Sequence, residues 1–498
     1  MRQALLWVPL ASSLGIAACC ITPPPPLAPA VTATASATAA PSASQAAPAA
    51  GPIQRSYAAK AERIIAAATN SHAAYDHLAF LTGRIGNRLS GSPSLDRAIE
   101  WAAGVLKQDG HENVHTEKVK VPHWVRGKES ASTTLPEKRP LVILGLGGTV
   151  ATPKGGIEAE VMVVDSFEDL EKRAAEAKDK IVLFDVPMAA YSEEKGAGYG
   201  DVAKYRSKGP SAAARLGAKA ALVRSLTAKS LRTPHTGATN YEQGVTKIPA
   251  AAVTTEDAAL LHRLVKSGEK VRVRLELEGK TLADADSANV IADLRGSEKP
   301  DEMVIIGAHI DSWDVGEGAH DDGAGCVMVM QALTELRKLG FTPRRTIRVV
   351  LFTNEENGIK GAIAYGEEHK AELPKIVAAF EADIGGFAPV GFHVEAPKER
   401  ADAIIARAKD LVELLRPLGA VRVEAGFSGA DLIPLVKGGV TGFGLVTDHR
   451  TYFDIHHTAA DTLDKVDPDA LAKNVAATAV LAYVVADLPE RIDAPLTQ

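Results

Sequence analysis

Cysteine is nearly absent from this sequence. Its 498 residues include three, Cys19, Cys20 and Cys326. Two stand in the leader, so the rest of the chain holds one. That excludes an internal disulfide in the folded part and any metal site built from several thiolates. A basic stripe is also missing. Lys and Arg number 56 against 62 Asp and Glu, a net charge of −6, and nothing in that distribution fits a nucleic-acid partner. No stretch beyond the leader reads as a membrane span, and no internal repeat is visible.

What is present begins with an export pattern. Arg2 gives a weakly positive start, and Ala4 to Ala18 is apolar but too short for a stable anchor. Ile16-Ala17-Ala18-Cys19 resembles a lipobox, which predicts a lipoprotein-type signal over 1–19 and lipidation of Cys19. The plainer alternative is a secretory signal cut after a small residue. Residues 20–52, almost only Pro, Ala, Ser, Thr and Val, read as a flexible tether. Together they predict an exported protein: an outer-membrane lipoprotein facing the periplasm or cell surface, touching the membrane through its lipid alone, or otherwise a secreted protein.

The length predicts two domains. Helical spacing marks Ile53 to Leu81 and Leu95 to Leu106, and alternation marks a strand over Val114 to Val121. From Leu141 to Glu278 the character changes to short strand-like runs with helical stretches between them. None of those runs ends in potential ligands, which predicts a small inserted α/β domain. Strand-like runs resume at Asn289, and helices are predicted over Cys326 to Leu336, Ala401 to Leu415 and Pro468 to Ala486.

The chemistry gathers where apolar runs stop. Met303 to Ala308 ends in His309-Ile310-Asp311, and Asp321-Asp322 follows. Thr346 to Thr353 ends in Asn354-Glu355-Glu356, and Ile376 to Phe380 ends in Glu381-Ala382-Asp383. A loop after Gly442 to Val446 carries His456-His457. The carboxyl ends of parallel strands are where an open α/β sheet puts its site. Taken singly, each residue has a plainer reading as a cap, a turn or a solvated loop. Taken together, His309, Asp321, Glu356, Asp383 and His457 are candidate metal ligands. Nitrogen and oxygen donors without sulfur suit zinc, with manganese or cobalt as alternatives. Five donors are too many for one tetrahedral ion with an open position, but they suit two ions sharing a carboxylate. Consecutive strand-end side chains point apart, so Glu356 can bind metal while Glu355 stays free as a base. Asp311 is placed to orient His309. Ser428 and Asp431 are candidates for the cleft wall. Tyr452 and Arg450 are candidates to meet a substrate carboxylate; all four are equally open to a cap or loop-surface reading.

Four segments, GAHIDSWDVGEGAHDDGAG, FTNEENGIKGAIAY, EADIGG and HHTAADT, resemble the di-zinc aminopeptidase and glutamate carboxypeptidase superfamily, and RLSGSPSLDRAIEW, VPHWVRGKESA and PHTGATNYEQGVTKIPAAAVTTED resemble its carboxypeptidase Q branch. The resemblance implies an α/β zinc-exopeptidase fold, a mixed, mostly parallel sheet flanked by helices. That domain would span 53–140 and 287–490, with a protease-associated domain inserted over 141–286. It implies two Zn²⁺ per chain: one on His309 and Asp383, one on Glu356 and His457, and Asp321 bridging them. Glu355 would be the general base, acting on a metal-activated water, and His456 the candidate oxyanion donor. The implied substrates are short unblocked peptides, as for a dipeptidase or carboxypeptidase, and the implied assembly is a homodimer. A broad aminopeptidase and a non-catalytic peptide-binding lipoprotein are the competing readings.

Overall fold

Apolar runs buried on both faces suit the central strands of a parallel sheet. That is where the computed structural model places them. It describes residues 50–494, so the leader, the candidate lipidation site Cys19 and most of the tether lie outside the described residues. A first eight-stranded sheet runs in the order Glu112–Val121, Ala285–Leu294, Arg345–Phe352, Lys299–His309, Ile376–Glu381, Gly442–Thr447, Pro389–Glu395, Arg422–Ala425. The four strands from Arg345–Phe352 to Gly442–Thr447 are parallel. Their carboxyl ends therefore share one edge, and His309 is the last residue of its strand.

Helices cover this sheet. Ala324–Lys338 is buried from Ala324 to Leu336. Pro468–Asp487 is long and apolar enough to cross a membrane, yet 89% of that stretch is buried. It is a core helix, packed on Ala324–Lys338 and Pro52–Thr69. Each Leu or Val it encloses contributes roughly 1.5–3 kcal/mol of transfer free energy. Its start is set by Asp467, which accepts the Ala470 amide at 2.8 Å, and by Pro468 at the first helical position.

The chain leaves the first sheet at Val121 and returns at Ala285, and these two residues pair in register. Everything between is therefore inserted between two neighbouring strands. Trp124–Val125 and Lys280–Thr281 pair just beyond the exit. A second eight-stranded sheet follows, in the order Arg139–Leu141, Glu129–Leu135, Arg272–Leu277, Ile157–Val164, Ile181–Phe184, Ala220–Arg224, Ala250–Val253, Ile143–Gly145. Its pairing takes in Glu129–Leu135, upstream of the change in character at Leu141. That strand buries only Ala131 and Thr133 of a polar run, so it leaves almost no apolar signal.

Candidate metal centre

The edge formed by the parallel strand ends gathers all five candidate ligands. His309 Nε2 lies 3.3 Å from Asp321 Oδ1 and 3.2 Å from Asp383 Oδ1. His457 Nε2 lies 3.1 Å from Asp321 Oδ2 and 3.1 Å from Glu356 Oε2. Each oxygen of Asp321 thus faces one histidine, and each histidine meets one further carboxylate. His456 stacks on His457 with ring centroids 3.6 Å apart and reaches Asp321 Oδ2 at 3.5 Å. Burial and the neighbouring His457 push His456 well below its ordinary value.

Main-chain contacts hold these groups. Asp322 accepts the His309 amide at 3.1 Å and the Gly325 amide at 3.0 Å, a geometric role. A Cβ on Gly325 would lie 2.0 Å from the Ala382 carbonyl and 2.3 Å from Asp322 Oδ1, so only glycine admits this approach. The Asp321–Asp322 peptide is cis. Asp311 keeps its carboxylate 3.8 Å from His309 Nδ1 and makes further contacts. Its carboxylate accepts the amides of Glu355 at 3.0 Å and Glu356 at 3.4 Å, while its main-chain carbonyl, 3.1 Å away, faces His309 Nδ1. The glutamates also part for a different reason from strand alternation. The strand ends at Phe352, and Asn354 turns the chain with φ of 66°, a conformation Asn tolerates better than most residues. Glu356 then meets His457 and the Trp313 amide. The Glu355 carboxylate has no hydrogen-bond partner among the described residues.

Three supports have no ligand-like spacing of their own, although each lies in a segment that carries the resemblance. Asp461 accepts the amides of His320 at 2.7 Å and Asp321 at 3.1 Å. Arg88, fully buried, donates to the carbonyls of Gly86, Ile310, Glu317 and Gly318, clamping the loop between His309 and Asp321. His320 accepts the Gly386 amide at 3.1 Å and stacks on Phe387; burial pushes it down to about 4, which keeps it an acceptor. The signal for Asp461, Arg88 and His320 was their place in HHTAADT, RLSGSPSLDRAIEW and GAHIDSWDVGEGAHDDGAG.

Ser428, Asp431 and Tyr452 are not on an open wall. They are 1%, 0% and 3% exposed. Ser428 Oγ is taken by Glu395 at 2.9 Å. Asp431 packs behind the centre, where Glu381 accepts its amide. The Tyr452 ring lies against His456 with centroids 5.0 Å apart. Polar residues near glycine read as cleft lining in a sequence, but here all three are enclosed by protein. Arg450 stays on the surface, paired with Asp448.

Burial and crowding shift the ionisable groups of the centre in different directions. Burial pushes Glu355 well above the usual carboxylate range and Glu356 up to about 7, with the nearby carboxylates adding to it. Burial also raises Asp383. For Asp321 burial is outweighed by the His309 and His457 imidazoles beside it, which hold it well below its ordinary value. Burial opposes a charge on His309 and His457, but their carboxylate neighbours push both well up. Asp321 Oδ2 is buried without a hydrogen-bond donor. An orphaned carboxylate oxygen facing His457, with the other oxygen of the same carboxylate facing His309, fits a bridging cation ligand, and the sulfur-free donor set fits zinc. Cys326, the one cysteine among the described residues, is no competitor. It is fully buried with Sγ on the His309 carbonyl.

Known proteins share this architecture. Residues 289–482 match the profile of Peptidase family M28. Carboxypeptidase Q of Mus musculus is 42% identical over 418 residues, covering 84% of this chain and 86% of that protein. Its counterpart in Xenopus laevis is 41% identical, covering 88% and 91%. The crystal structure of a Peptidase M28 precursor from Shewanella amazonensis SB2B superposes with a TM-score of 0.84 at 39% identity, covering 89% of this chain and all of that one. A zinc aminopeptidase from Bacillus subtilis shares the fold alone, with a TM-score of 0.60 at 19% identity. A five-donor constellation on the strand edge, carried by a chain this similar over most of its length, makes the protein a peptidase of family M28, in its carboxypeptidase Q branch.

Proposed function

We propose that this chain is a di-zinc exopeptidase that hydrolyses short peptides with unblocked ends. The observation that carries the reading is Asp321, whose two oxygens each face a separate histidine–carboxylate pair. His309 and Asp383 would hold one ion, Glu356 and His457 the other, and Asp321 both. Zinc bound there supplies Lewis acidity toward the scissile carbonyl and toward the attacking water. Glu355 takes the proton of that water and delivers it to the leaving amine. It is suited to this because its carboxylate is uncommitted and burial raises its basicity. Asp311 fixes Glu355 through its main-chain amide. His456, in its neutral form, donates toward the developing oxyanion. The second sheet serves as a protease-associated insert that bounds the cleft. The leader and tether support an exported enzyme, lipidated at Cys19, and the likeness to carboxypeptidase Q supports a homodimer.

Elemental analysis and dipeptide hydrolysis test the reading together. Wild type should carry two zinc per chain and cleave free dipeptides faster than amino-blocked or carboxyl-blocked ones. Glu355→Gln should keep both ions and lose roughly 10²–10⁴-fold in kcat. Asp321→Asn should lose both ions. Near-normal turnover by Glu355→Gln would remove the base from the mechanism, and a single ion in wild type would remove the bridge.

A further inference from the structure

The two histidines of the centre are held in different ways. His309 Nδ1 meets the carbonyl of Asp311, two residues along its own chain, at 3.1 Å. His457 Nδ1 instead meets the carbonyl of Thr236 at 3.2 Å. Thr236 lies in the loop between Ala220–Arg224 and Ala250–Val253 of the second sheet. The contact is reciprocal, since the Thr236 amide donates to the His457 carbonyl at 3.0 Å. His457 has φ of 61°, a left-handed conformation that few non-glycine residues hold without outside support. A carbonyl can only accept, and Arg206 Nη1, which can only donate, lies farther from Nδ1 at 3.4 Å and spends its hydrogen on the same carbonyl at 3.2 Å; the nearer partner thus puts the imidazole proton on Nδ1. The Nε2 lone pair is then directed at Asp321 and Glu356, the tautomer a metal ligand requires.

The carbonyl is itself fixed from behind. Arg206 Nη1 donates to Thr236 O at 3.2 Å and flanks His457 Nδ1 at 3.4 Å, and Nη2 donates to the Tyr199 hydroxyl at 2.7 Å. Arg206 is 9% exposed and has no carboxylate partner among the described residues. A buried guanidinium without a counter-charge is costly, so hydrogen bonding and packing hold it there. The neighbouring residue makes the packing possible. Gly237 has φ of 138°, and a Cβ on it would lie 2.2 Å from Arg206 Cζ. Trp313, between ligands His309 and Asp321, also leans on this unit. A Cβ on Gly147 would lie 2.0 Å from its ring.

We infer that Thr236, backed by Arg206 and Gly237, is the positioning residue for His457, so that the second sheet sets the metal affinity of the Glu356–His457 half of the centre. The inference rests on the ligand set proposed above. The geometry predicts an asymmetric effect, because the His309 half is oriented from within its own strand end.

Full-length protein loaded with zinc is challenged with graded chelator, and bound zinc is counted for wild type, Arg206→Met, Gly237→Ala and His457→Ala. Arg206→Met and Gly237→Ala should each release one zinc equivalent at roughly 10–100-fold lower chelator strength, with the second equivalent held as in wild type. His457→Ala should lack that same equivalent. Arg206→Met carries the test if Gly237→Ala does not fold. Release like wild type, or equal weakening of both equivalents as a general loss of stability would give, overturns the inference. If His457→Ala keeps two zinc equivalents, the ligand set itself is wrong and the inference falls with it.

Discussion

Replacing Arg88 by Lys tests how the loop between two ligands is held. The guanidinium is fully buried and spreads four hydrogen bonds over the carbonyls of Gly86, Ile310, Glu317 and Gly318, at 2.9–3.0 Å. It has no carboxylate partner among the described residues, so these bonds are its compensation for lost water. An ammonium keeps the charge but is a single point, and it can reach about two of the four acceptors. Two hydrogen bonds to a charged donor at about 1.5–3 kcal/mol each put the loss near 3–6 kcal/mol. That is a large part of the roughly 5–15 kcal/mol that holds a typical domain. Urea unfolding at constant m-value reads the loss, and hydrogen exchange at Ser312–Gly318 localises it. The substituted protein should unfold at clearly lower urea, with those amides exchanging faster. A loss below about 1 kcal/mol would refute the clamp, because each bond would then be worth less than an ordinary neutral one.

Two further outcomes concern regions away from the centre. His369 is raised by its hydrogen bond to Glu117, and Glu117, despite burial, is lowered by that same contact. The histidine's contribution is complete below its unfolded value of about 6.5 and is lost as pH rises through the raised value. The glutamate's is complete above its unfolded value of about 4.5 and is lost as pH falls through the lowered one. The unfolding free-energy difference between wild type and His369→Gln should therefore peak between those two values and shrink on both sides; a difference independent of pH contradicts the pair. Asp467→Ala removes the cap of the core helix and should cost about 1 kcal/mol by urea unfolding, with no change meaning that water replaces it.

The parts legible in the sequence were those with strong local patterns. Uninterrupted apolar runs gave the parallel strands, and the polar residues after them gave His309, Asp321, Glu356, Asp383 and His457. Glu129–Leu135 was hidden because Ser and Thr occupy a strand with only two buried positions. Asp461 and Arg88 were hidden because a side chain bonded to the main chain depends on backbone shape, which leaves no spacing to read. Thr236 and His457 stand 221 residues apart, and no local window joins them. Ser428 and Asp431 misled for the converse reason. Their residue types fit a cleft wall, but burial, which sequence shows poorly for short polar segments, puts them behind it.

The way the chain leaves and re-enters the first sheet sets the mechanics of the whole enzyme. Val121 and Ala285 depart side by side, and Trp124–Val125 with Lys280–Thr281 pair immediately afterwards. The join is a braced neck of paired strands, whereas hinge motion needs a few loop residues free to change φ and ψ. Rotating the second sheet away would break ladder hydrogen bonds, the Arg126–Asp314 ion pair and the Thr236–His457 contact together. The neck therefore keeps the loop that carries Thr236 in register with His457, so the two sheets respond to strain as one piece rather than as a body and a lid.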